Sequence, residues 1–287
     1  MAHADRAASG SPDVLSPADF ERLARFVFQY SGIKMPPSKR TMLEGRLRRR
    51  LRATGIDTFH AYCAHVFDGP GAAQELMHLI DAVTTNKTDF FREPRHFDYL
   101  RQSVLPALVE TRRAVKAWSA ACSTGAEPYT LAMVLEEGLA TTRGASYSIL
   151  ATDLSTEVLQ VARRAVFPDA AIAPVPERLR AKYVMHPLDP TRGAVRISPD
   201  LRKRVGFARL NLMDEHYPVD EDFDLVFCRN VLIYFDKPTQ AAVLRRLCAH
   251  LRPGGHLFLG HSESIAGIDL PLRTVANTVF RRVEQRL

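Results

Sequence analysis

The strongest constraint on the fold is a change of sequence pattern after Pro106. From there on, short apolar runs alternate with stretches that carry leucine and valine at helical spacing. The runs cover residues 114–121, 146–152, 205–212, 223–228 and 256–261. This alternation predicts a mostly parallel sheet with helices on both faces. The last segment, 273–283, is expected to add a closing antiparallel strand.

The sequence before Pro106 follows a helical pattern instead. Ser16 is a capping residue directly before Pro17, and Gly32 is a natural stop, so the pair predicts a helix between them. Further helical patterns follow up to the start of the sheet. The expected organisation is a polar, mobile tail at 1–15, an all-helical domain at 16–105 and a sheet domain at 106–287.

Residues 168–204 form a longer connection than a helix and a strand ordinarily need. The segment is rich in proline and contains a short alternating run at Ala194–Ile197. We therefore expect a small β subdomain inserted into the sheet domain at 168–204.

Charge and cysteine content narrow the classes of partner and cofactor. The formal net charge is +7 and the pI about 9.4, which favours nucleic acid, anionic lipid or an acidic protein surface. The apolar runs are shorter than the roughly 18 residues of a membrane span, and the polar start is unlike a signal peptide. The four cysteines form no CxxC pair, so neither a zinc site nor a disulfide framework is expected. A cytoplasmic protein without direct membrane insertion is predicted.

Polar side chains follow four of the predicted strands. In open α/β sheets, ligands bind beyond the carboxyl ends of the strands, so these positions are expected to meet at one site. They are Glu127 after the first strand, Asp153 after the second, Asn211 with Leu212 after the third, and Arg229 with Asn230 after the fourth.

The turn CSTGAEPY, which joins the first strand to its helix, contains a single glycine, Gly125. Turns that bind a pyrophosphate carry three, so a nucleoside ligand without phosphates fits this turn better. S-adenosylmethionine has that chemistry, and Asp153 can accept hydrogen bonds from both ribose hydroxyls. An aspartate after a strand is more often a helix cap, so the prediction rests on all four strand ends together.

The segment TTNKTDFFREPRHF, residues 84–97, is denser in polar residues than a linker needs. One interpretation is a capped helix start with Phe90 and Phe91 in the core. The other is a segment that closes over the cofactor and brings Arg92 near a carboxylate. His261, after the last parallel strand, has no second histidine at ligand spacing. We expect it to have a structural or pocket-rim role, and no metal site is predicted.

Five motifs, in this order and spacing, resemble the chemoreceptor glutamate O-methyltransferase (CheR) family. They are TNKTDFFRE, SAACSTGAEPYTLAM, ILATDLS, FCRNVLIYFD and LRPGGHLFLGHSES. The resemblance extends from about residue 16 to 283. It implies a Rossmann-like class I methyltransferase sheet with an N-terminal all-helical domain and a small inserted β subdomain.

The resemblance also implies functional residues. The implied S-adenosylmethionine site contains Asn86, Thr88, Arg92, Glu127, Asp153, Asn211, Leu212, Arg229 and Asn230. The implied catalytic residues are Tyr234 and Arg92. The basic helix would face the acidic helical bundle of a chemoreceptor, with Arg46, Arg49, Arg50 and Arg95 as receptor-binding residues. In the family the inserted subdomain docks a receptor-tail peptide, but the loop HPLDPTRG departs from the family pattern and leaves this point open.

The implied reaction methylates a glutamate side chain to a methyl ester and releases S-adenosylhomocysteine. A glutamate is already ionised at neutral pH, so no general base is required. Two alternatives stay open: an RNA or DNA methyltransferase that binds through the helical domain, and a signalling module that binds the cofactor without transfer. The basic helix lacks interleaved exposed aromatic residues, and NVLIY stands where many amine methyltransferases carry NPPY. No nucleic acid partner is therefore expected.

Overall fold

A computed structural model describes residues 13–69, 72–111, 113–140, 142–189, 191 and 193–283. The chain divides into two compact units, residues 1–84 and 85–287. Within the described ranges, none of the helices is both long and apolar enough to cross a lipid bilayer.

The first unit is helical, as the sequence predicts. Its α-helices are α1 (Pro17–Ser31), α2 (Arg40–Thr54), α3 (Phe59–Asp68) and α4 (Ala72–Val83). The Ser16 side chain accepts a hydrogen bond from the Asp19 N–H, and Gly32 ends α1 with a φ of 72°. Leu43, Leu47 and Leu51 form the buried side of α2. Capping and a four-residue leucine repeat thus define these helices locally.

The predicted tail at 1–15 lies mostly outside the described residues. Its last residues are packed against the helices: Leu15 is fully buried, and its N–H donates to the Glu44 carboxylate at 3.4 Å. The Asp13 carboxylate accepts from the Phe59 N–H at 2.7 Å. Residues 13–15 are therefore part of the helical unit.

The second unit begins at Thr85, whereas the sequence suggested a boundary after residue 105. Two short helices, α5 (Pro94–Tyr99) and α6 (Leu105–Glu110), are joined by a π-helical turn. Their side chains Phe97, Leu100 and Leu105 belong to the same buried core as the sheet. These two helices belong to the second unit because their apolar faces are buried against its sheet.

A seven-stranded sheet forms the centre of the second unit. The strands are β1 (Val115–Ala120), β2 (Tyr147–Asp153), β3 (Val166–Pro168), β4 (Val184–Met185), β5 (Ala194–Ile197), β6 (Val205–Arg209), β7 (Phe223–Cys228), β8 (Leu251–Leu259), β9 (Leu272–Ala276) and β10 (Val279–Arg282). The sheet has the order β6-β2-β1-β7-β8-β10-β9. The pairs from β6 to β8 are parallel, and β10 is antiparallel to both neighbours. This confirms the predicted Rossmann-like sheet.

The helices of this unit cross between parallel strands. They include α7 (Ala126–Leu139), α8 (Thr156–Arg164), α9 (Glu177–Tyr183), α10 (Pro199–Arg202) and α11 (Lys237–His250). Because each parallel connection returns to the same end of the sheet, the carboxyl ends of β1, β2, β6 and β7 share one edge.

The end of the sheet differs from the prediction in two places. The segment 273–283 is a hairpin, β9–β10, and not one strand, because the chain reverses at Asn277 and Thr278. Strand β8 begins at Leu251, directly after α11, so the strand predicted at 256–261 starts earlier and includes RPGG. A Cβ at Gly255 would lie 2.9 Å from the Phe223 carbonyl oxygen. This glycine thus permits a close backbone approach.

The insertion is a separate three-stranded antiparallel sheet in the order β3-β5-β4. It begins at Val166, close to the predicted start at 168, and it contains α9, which the proline-rich sequence did not indicate. On α7, Glu137 accepts hydrogen bonds from Lys182 and from the Tyr183 hydroxyl, both at 2.7 Å. These contacts attach the insertion to the main sheet domain.

Candidate active site

The turn after β1 has an unusual backbone. Ala121, Ser123 and Gly125 have φ values of 62°, 51° and 95°, and positive φ is uncommon in residues other than glycine. A Cβ at Gly125 would lie 2.9 Å from the Cβ of Ala162 on α8. The single glycine of the turn therefore stands where helix packing leaves no room for a side chain.

Asp153 connects this turn to the next helix. One carboxylate oxygen accepts from the Ser123 N–H at 2.8 Å, and the other accepts from the Ser155 N–H at 2.9 Å. The cap of α8 is the side chain of Ser155, which accepts from the Val158 N–H. Asp153 is therefore held in a fixed orientation at the strand end without being the helix cap.

Glu127 and Arg229 form a buried ion pair at the same edge. Glu127 accepts from the Ser119 hydroxyl and from Arg229 Nε, both at 2.7 Å. A second guanidinium nitrogen of Arg229 donates to the Arg92 carbonyl at 2.7 Å and lies 3.4 Å from the Glu93 carboxylate. The Arg229 side chain is only 2% exposed. Two carboxylates thus enclose one buried guanidinium.

The charges at this edge sum to a negative value. Arg92 and Arg229 contribute two positive charges, whereas Glu93, Glu127 and Asp153 contribute three carboxylates. Burial raises the pKa of Glu93, but hydrogen bonds from the His261 N–H and Asn230, together with the Arg229 charge, lower it overall. Burial and, to a lesser extent, the charge of Arg229 lower the pKa of His96 to about 4. The histidine is therefore neutral at pH 7 and does not offset the negative charge.

Asn230 opens the loop that leads to Tyr234. Its φ is 58°, and its N–H donates to the Glu263 carboxylate at 3.0 Å. The same carboxylate accepts from the Leu232 N–H at 2.8 Å. Tyr234 ends a short 3-10 turn and is half-buried. Glu263 therefore holds the backbone at the start of this loop through two hydrogen bonds.

Asn211 and Leu212 follow β6 and are both buried. The Asn211 side-chain oxygen accepts from the Met213 N–H at 3.0 Å. The Leu212 carbonyl accepts from the Tyr217 hydroxyl at 2.8 Å. These contacts shape the turn after β6 at the same carboxyl edge.

The interpretation of the segment 84–97 as part of the core is confirmed at Phe90, whereas closure over a cofactor stays a prediction. Phe90 is buried in the core, while the Asn86 carbonyl accepts from the Ser123 hydroxyl at 2.8 Å and places the segment against the β1 turn. The Arg92 guanidinium donates to the Lys87 carbonyl at 3.0 Å. Thr88 is half-buried in the same segment.

The predicted receptor-binding arginines differ in their surroundings. Arg46 donates to the Val83 and Thr84 carbonyls at 2.6 and 3.0 Å, at the end of α4. Arg50 makes two hydrogen bonds to Glu75 at 3.0 and 2.7 Å. Arg49 on α2 is exposed, and so is Arg95 on α5. Arg46 and Arg50 thus have structural roles inside the helical unit that the sequence did not predict.

Several residues at the edge were not singled out from the sequence. They are Glu93, Ser119, Ser123 and Glu263. Glu93 and Glu263 are the acidic residues of the FFRE and HSES motifs, and their place in these motifs is the sequence signal that could have identified them. Through space His261 does have a histidine nearby, since ligand atoms of Glu93, His96 and His261 lie within 4.8 Å of one another. Arg229 also contacts this cluster, and its positive charge opposes a metal cation there.

Comparison with known proteins covers both units. The model of the CheR methyltransferase SAM binding domain matches residues 86–280, and that of the CheR methyltransferase all-alpha domain matches residues 18–84. The chain is 38% identical to a chemotaxis protein methyltransferase of Borreliella burgdorferi, over 87% of this chain and 89% of that protein. It is also 38% identical to the chemotaxis protein methyltransferase of Escherichia coli, over 93% and 91% of the two chains.

Proposed function

Because the chain belongs to the CheR methyltransferase family, we propose that it methylates glutamate side chains on the cytoplasmic helices of chemoreceptors. S-adenosylmethionine supplies the methyl group, and the products are a glutamyl methyl ester and S-adenosylhomocysteine. The observation that carries the proposal is the negatively charged strand edge, where Asp153 and Glu127 are buried and held in fixed orientations.

The proposed cofactor contacts follow from this charge. The carboxylate of Asp153 would accept hydrogen bonds from the ribose hydroxyls, because an ionised carboxylate acts only as an acceptor and this one is held in a fixed orientation at the strand end. The three carboxylates Glu93, Glu127 and Asp153 outnumber the two guanidinium groups of Arg92 and Arg229, so the site favours a cationic sulfonium. The proposed cofactor-binding residues are Asn86, Thr88, Arg92, Glu127, Asp153, Asn211, Leu212, Arg229 and Asn230.

Catalysis is proposed to rest on alignment. S-adenosylmethionine supplies an activated methyl group, and the acceptor carboxylate is ionised at neutral pH, so the protein has no proton to remove. Its own residues would hold the carboxylate oxygen in line with the methyl group and exclude water. Tyr234 and Arg92 are the proposed contacts of the acceptor, because both are half-buried at this edge.

The proposed partner is the helical bundle of a chemoreceptor. Exposed Arg49 and Arg95 and a net charge of +7 would favour association with an acidic surface. Docking of a receptor-tail peptide on the inserted sheet is a further part of the proposal. We place the protein in the cytoplasm, where such receptor helices lie and where buried free thiols such as those of its cysteines persist.

The decisive experiment combines transfer with product chemistry. The protein is incubated with methyl-labelled S-adenosylmethionine and receptor cytoplasmic fragments, and the product is treated with mild alkali. A glutamyl ester releases volatile labelled methanol, and fragments with glutamines in place of the acceptor glutamates should stay unlabelled. Label that resists alkali, or transfer to RNA or DNA instead, would reject the proposal. Binding of cofactor without any transfer would favour the signalling module.

Replacement of Tyr234 tests the acceptor side separately. Tyr234→Phe removes the hydroxyl and is expected to lower kcat about tenfold, which corresponds to about 1.4 kcal/mol of transition-state stabilisation. The Kd for S-adenosylmethionine, measured by calorimetric titration, should change less than twofold or so. An equal loss of cofactor affinity would show that Tyr234 acts on the cofactor and not on the acceptor.

A further inference from the structure

Asn230 is held by two carboxylates from different parts of the chain. Its side-chain Nδ2 donates to Glu93 Oε1 at 3.1 Å, and its N–H donates to Glu263 Oε2 at 3.0 Å. The residue adopts a φ of 58°, which is uncommon for a residue with a side chain. Contacts to both its backbone and its side chain therefore maintain an unfavourable conformation.

Glu93 joins the ends of two neighbouring strands. Besides Asn230 after β7, its carboxylate accepts from the His261 N–H after β8 at 3.2 Å. It also lies 3.4 Å from Arg229. Glu93 itself is in the left-handed conformation, with a φ of 57°, at the start of α5. One carboxylate thus connects α5 with the loops that follow two strands.

Close packing fixes the Asn230 side chain further. A Cβ at Gly260 would lie 2.5 Å from Asn230 Nδ2 and 2.9 Å from the Asn230 backbone nitrogen. The asparagine therefore passes directly over the α-carbon of Gly260. Little space is left for a different side-chain position.

The chemistry of the contact sets the direction of the amide. An ionised carboxylate only accepts hydrogen bonds, so Asn230 must turn its NH₂ group toward Glu93. Its carbonyl oxygen is then left for another partner. The loop that begins at Asn230 leads to Tyr234 through the short turn Leu232–Tyr234.

We propose that Glu93 is a positioning residue for methyl transfer, which rests on the function proposed above. Its carboxylate orients Asn230 and thereby the loop that presents Tyr234 to the acceptor. Glu93 would touch neither the cofactor nor the acceptor. Its loss should therefore lower turnover by a larger factor than it weakens cofactor binding, in which Asn230 is also proposed to take part.

A reversal of the hydrogen bond tests the contact directly. Asn230→Asp places two carboxylates about 3 Å apart, so they share a proton at low pH and repel each other once it is lost. We expect kcat of this variant, at saturating cofactor, to fall about tenfold as the pH rises from 6 to 8.5. In the double variant Glu93→Gln with Asn230→Asp, the glutamine NH₂ donates to the aspartate. Turnover should recover to within about threefold of wild type and lose this pH dependence.

Glu110→Gln, an exposed carboxylate at the end of α6, is the matched control and should behave as wild type. Thermal unfolding and cofactor titration establish that each variant is folded. If Asn230→Asp does not fold, a comparison of Glu93→Ala with Glu93→Gln tests the role of Glu93. Glutamine keeps an acceptor for the Asn230 NH₂ group, so kcat should be higher for Glu93→Gln than for Glu93→Ala.

Two outcomes would overturn the role of Glu93. One is a folded double variant that turns over no faster than Asn230→Asp. The other is a Glu93→Ala variant that keeps wild-type kcat. A wild-type protein that is itself inactive toward receptor fragments would reject the proposed function instead, so the two failures are distinguishable.

Discussion

Each of two regions of the molecule contains an arginine buried beside a glutamate. The backbone around the arginine is regular in one region and strained in the other. In the helical unit, Arg50 on α2 pairs with Glu75 on α4, with side chains 19% and 7% exposed. The Tyr62 hydroxyl on α3 donates to the same carboxylate at 2.7 Å. In the sheet unit, Arg229 directly follows β7 and lies between Glu127 and Glu93.

The two ion pairs differ in the backbone conformation of the residues around them. Regular helices surround Arg50, and the pair joins three elements that are already hydrogen-bonded internally. Around Arg229 the backbone is strained, and the residues with positive φ at this edge are Phe91, Glu93, Ala121, Ser123 and Asn230. Such conformations cost about 1–3 kcal/mol each and persist where surrounding contacts over-determine them. The helical pair therefore joins regular helices, whereas the pair at the sheet edge holds strained backbone in place at the proposed cofactor site.

The largest effect is expected at Arg229. Arg229→Met keeps most of the side-chain volume but leaves Glu127 and Glu93 buried without their cation, which should destabilise the sheet unit by about 3–5 kcal/mol. Urea unfolding measures this change, and cofactor titration should show that binding is lost. A destabilisation below about 1 kcal/mol would mean that the strained turns do not depend on this ion pair.

A smaller effect is expected in the helical unit. Glu75→Gln removes the charge that Arg50 and Tyr62 share, and we expect a loss of about 1–3 kcal/mol in the free energy of unfolding. Cofactor affinity should not change. A loss of cofactor affinity comparable to that in Arg229→Met would contradict the division of roles.

Glu75→Gln should also change how the free energy of unfolding depends on pH. Burial raises the pKa of Glu75, but hydrogen bonds from Arg50 and Tyr62 outweigh it, so the pKa is lowered in the folded protein. The carboxylate therefore contributes stability above its unfolded pKa of about 4.3, and this contribution is lost as the pH falls through the folded value. Glu75→Gln should lose less stability on acidification than wild type. Asp68→Asn, in the exposed pair with Arg22, is the control and should change stability by less than about 1 kcal/mol.

The remaining effect is a pH dependence of stability, which is expected from His96. Its Nε2 lies 2.9 Å from the Thr278 hydroxyl, and its pKa is lowered to about 4, chiefly by burial. A histidine with a depressed folded pKa contributes full stability above about pH 6.5 and loses it as the pH falls toward the folded value. The slope is at most about 1.4 kcal/mol per pH unit for one proton. His256 has a similarly lowered pKa of about 4, so His96→Gln should remove about half of the combined slope in unfolding experiments between pH 6.5 and 4.

Local signals explain what the sequence predicted well. Strand β7 has the predicted bounds, 223–228, because six apolar or buried residues stand between turn residues. Helix α1 begins and ends where Ser16 and Gly32 indicate. The polar residues after four strands share one edge because parallel topology requires it.

Contacts between distant residues explain the rest. Glu93 precedes a proline and resembles an ordinary helix start, whereas its hydrogen-bond partner Asn230 is 137 positions away. The arginines of α2 form one charge pattern, yet Arg46 binds carbonyl groups and Arg49 is exposed. A charge pattern alone does not reveal which member finds a partner in another helix. The sequence predicts one strand in place of the β9–β10 hairpin because the two-residue turn, Asn277 and Thr278, lacks glycine and proline.

The position of β10 has a consequence for biosynthesis. It pairs with β8 on one side and β9 on the other, although it follows every other strand in the chain. Until residues 279–282 leave the ribosome, the edge of β8 stays open and β9 has nothing to pair with. The Thr278 partner of His96 is also missing at that stage. The segment that carries Glu93 therefore completes its contacts only after the hairpin has been synthesised, so a nascent chain cannot form the mature site early.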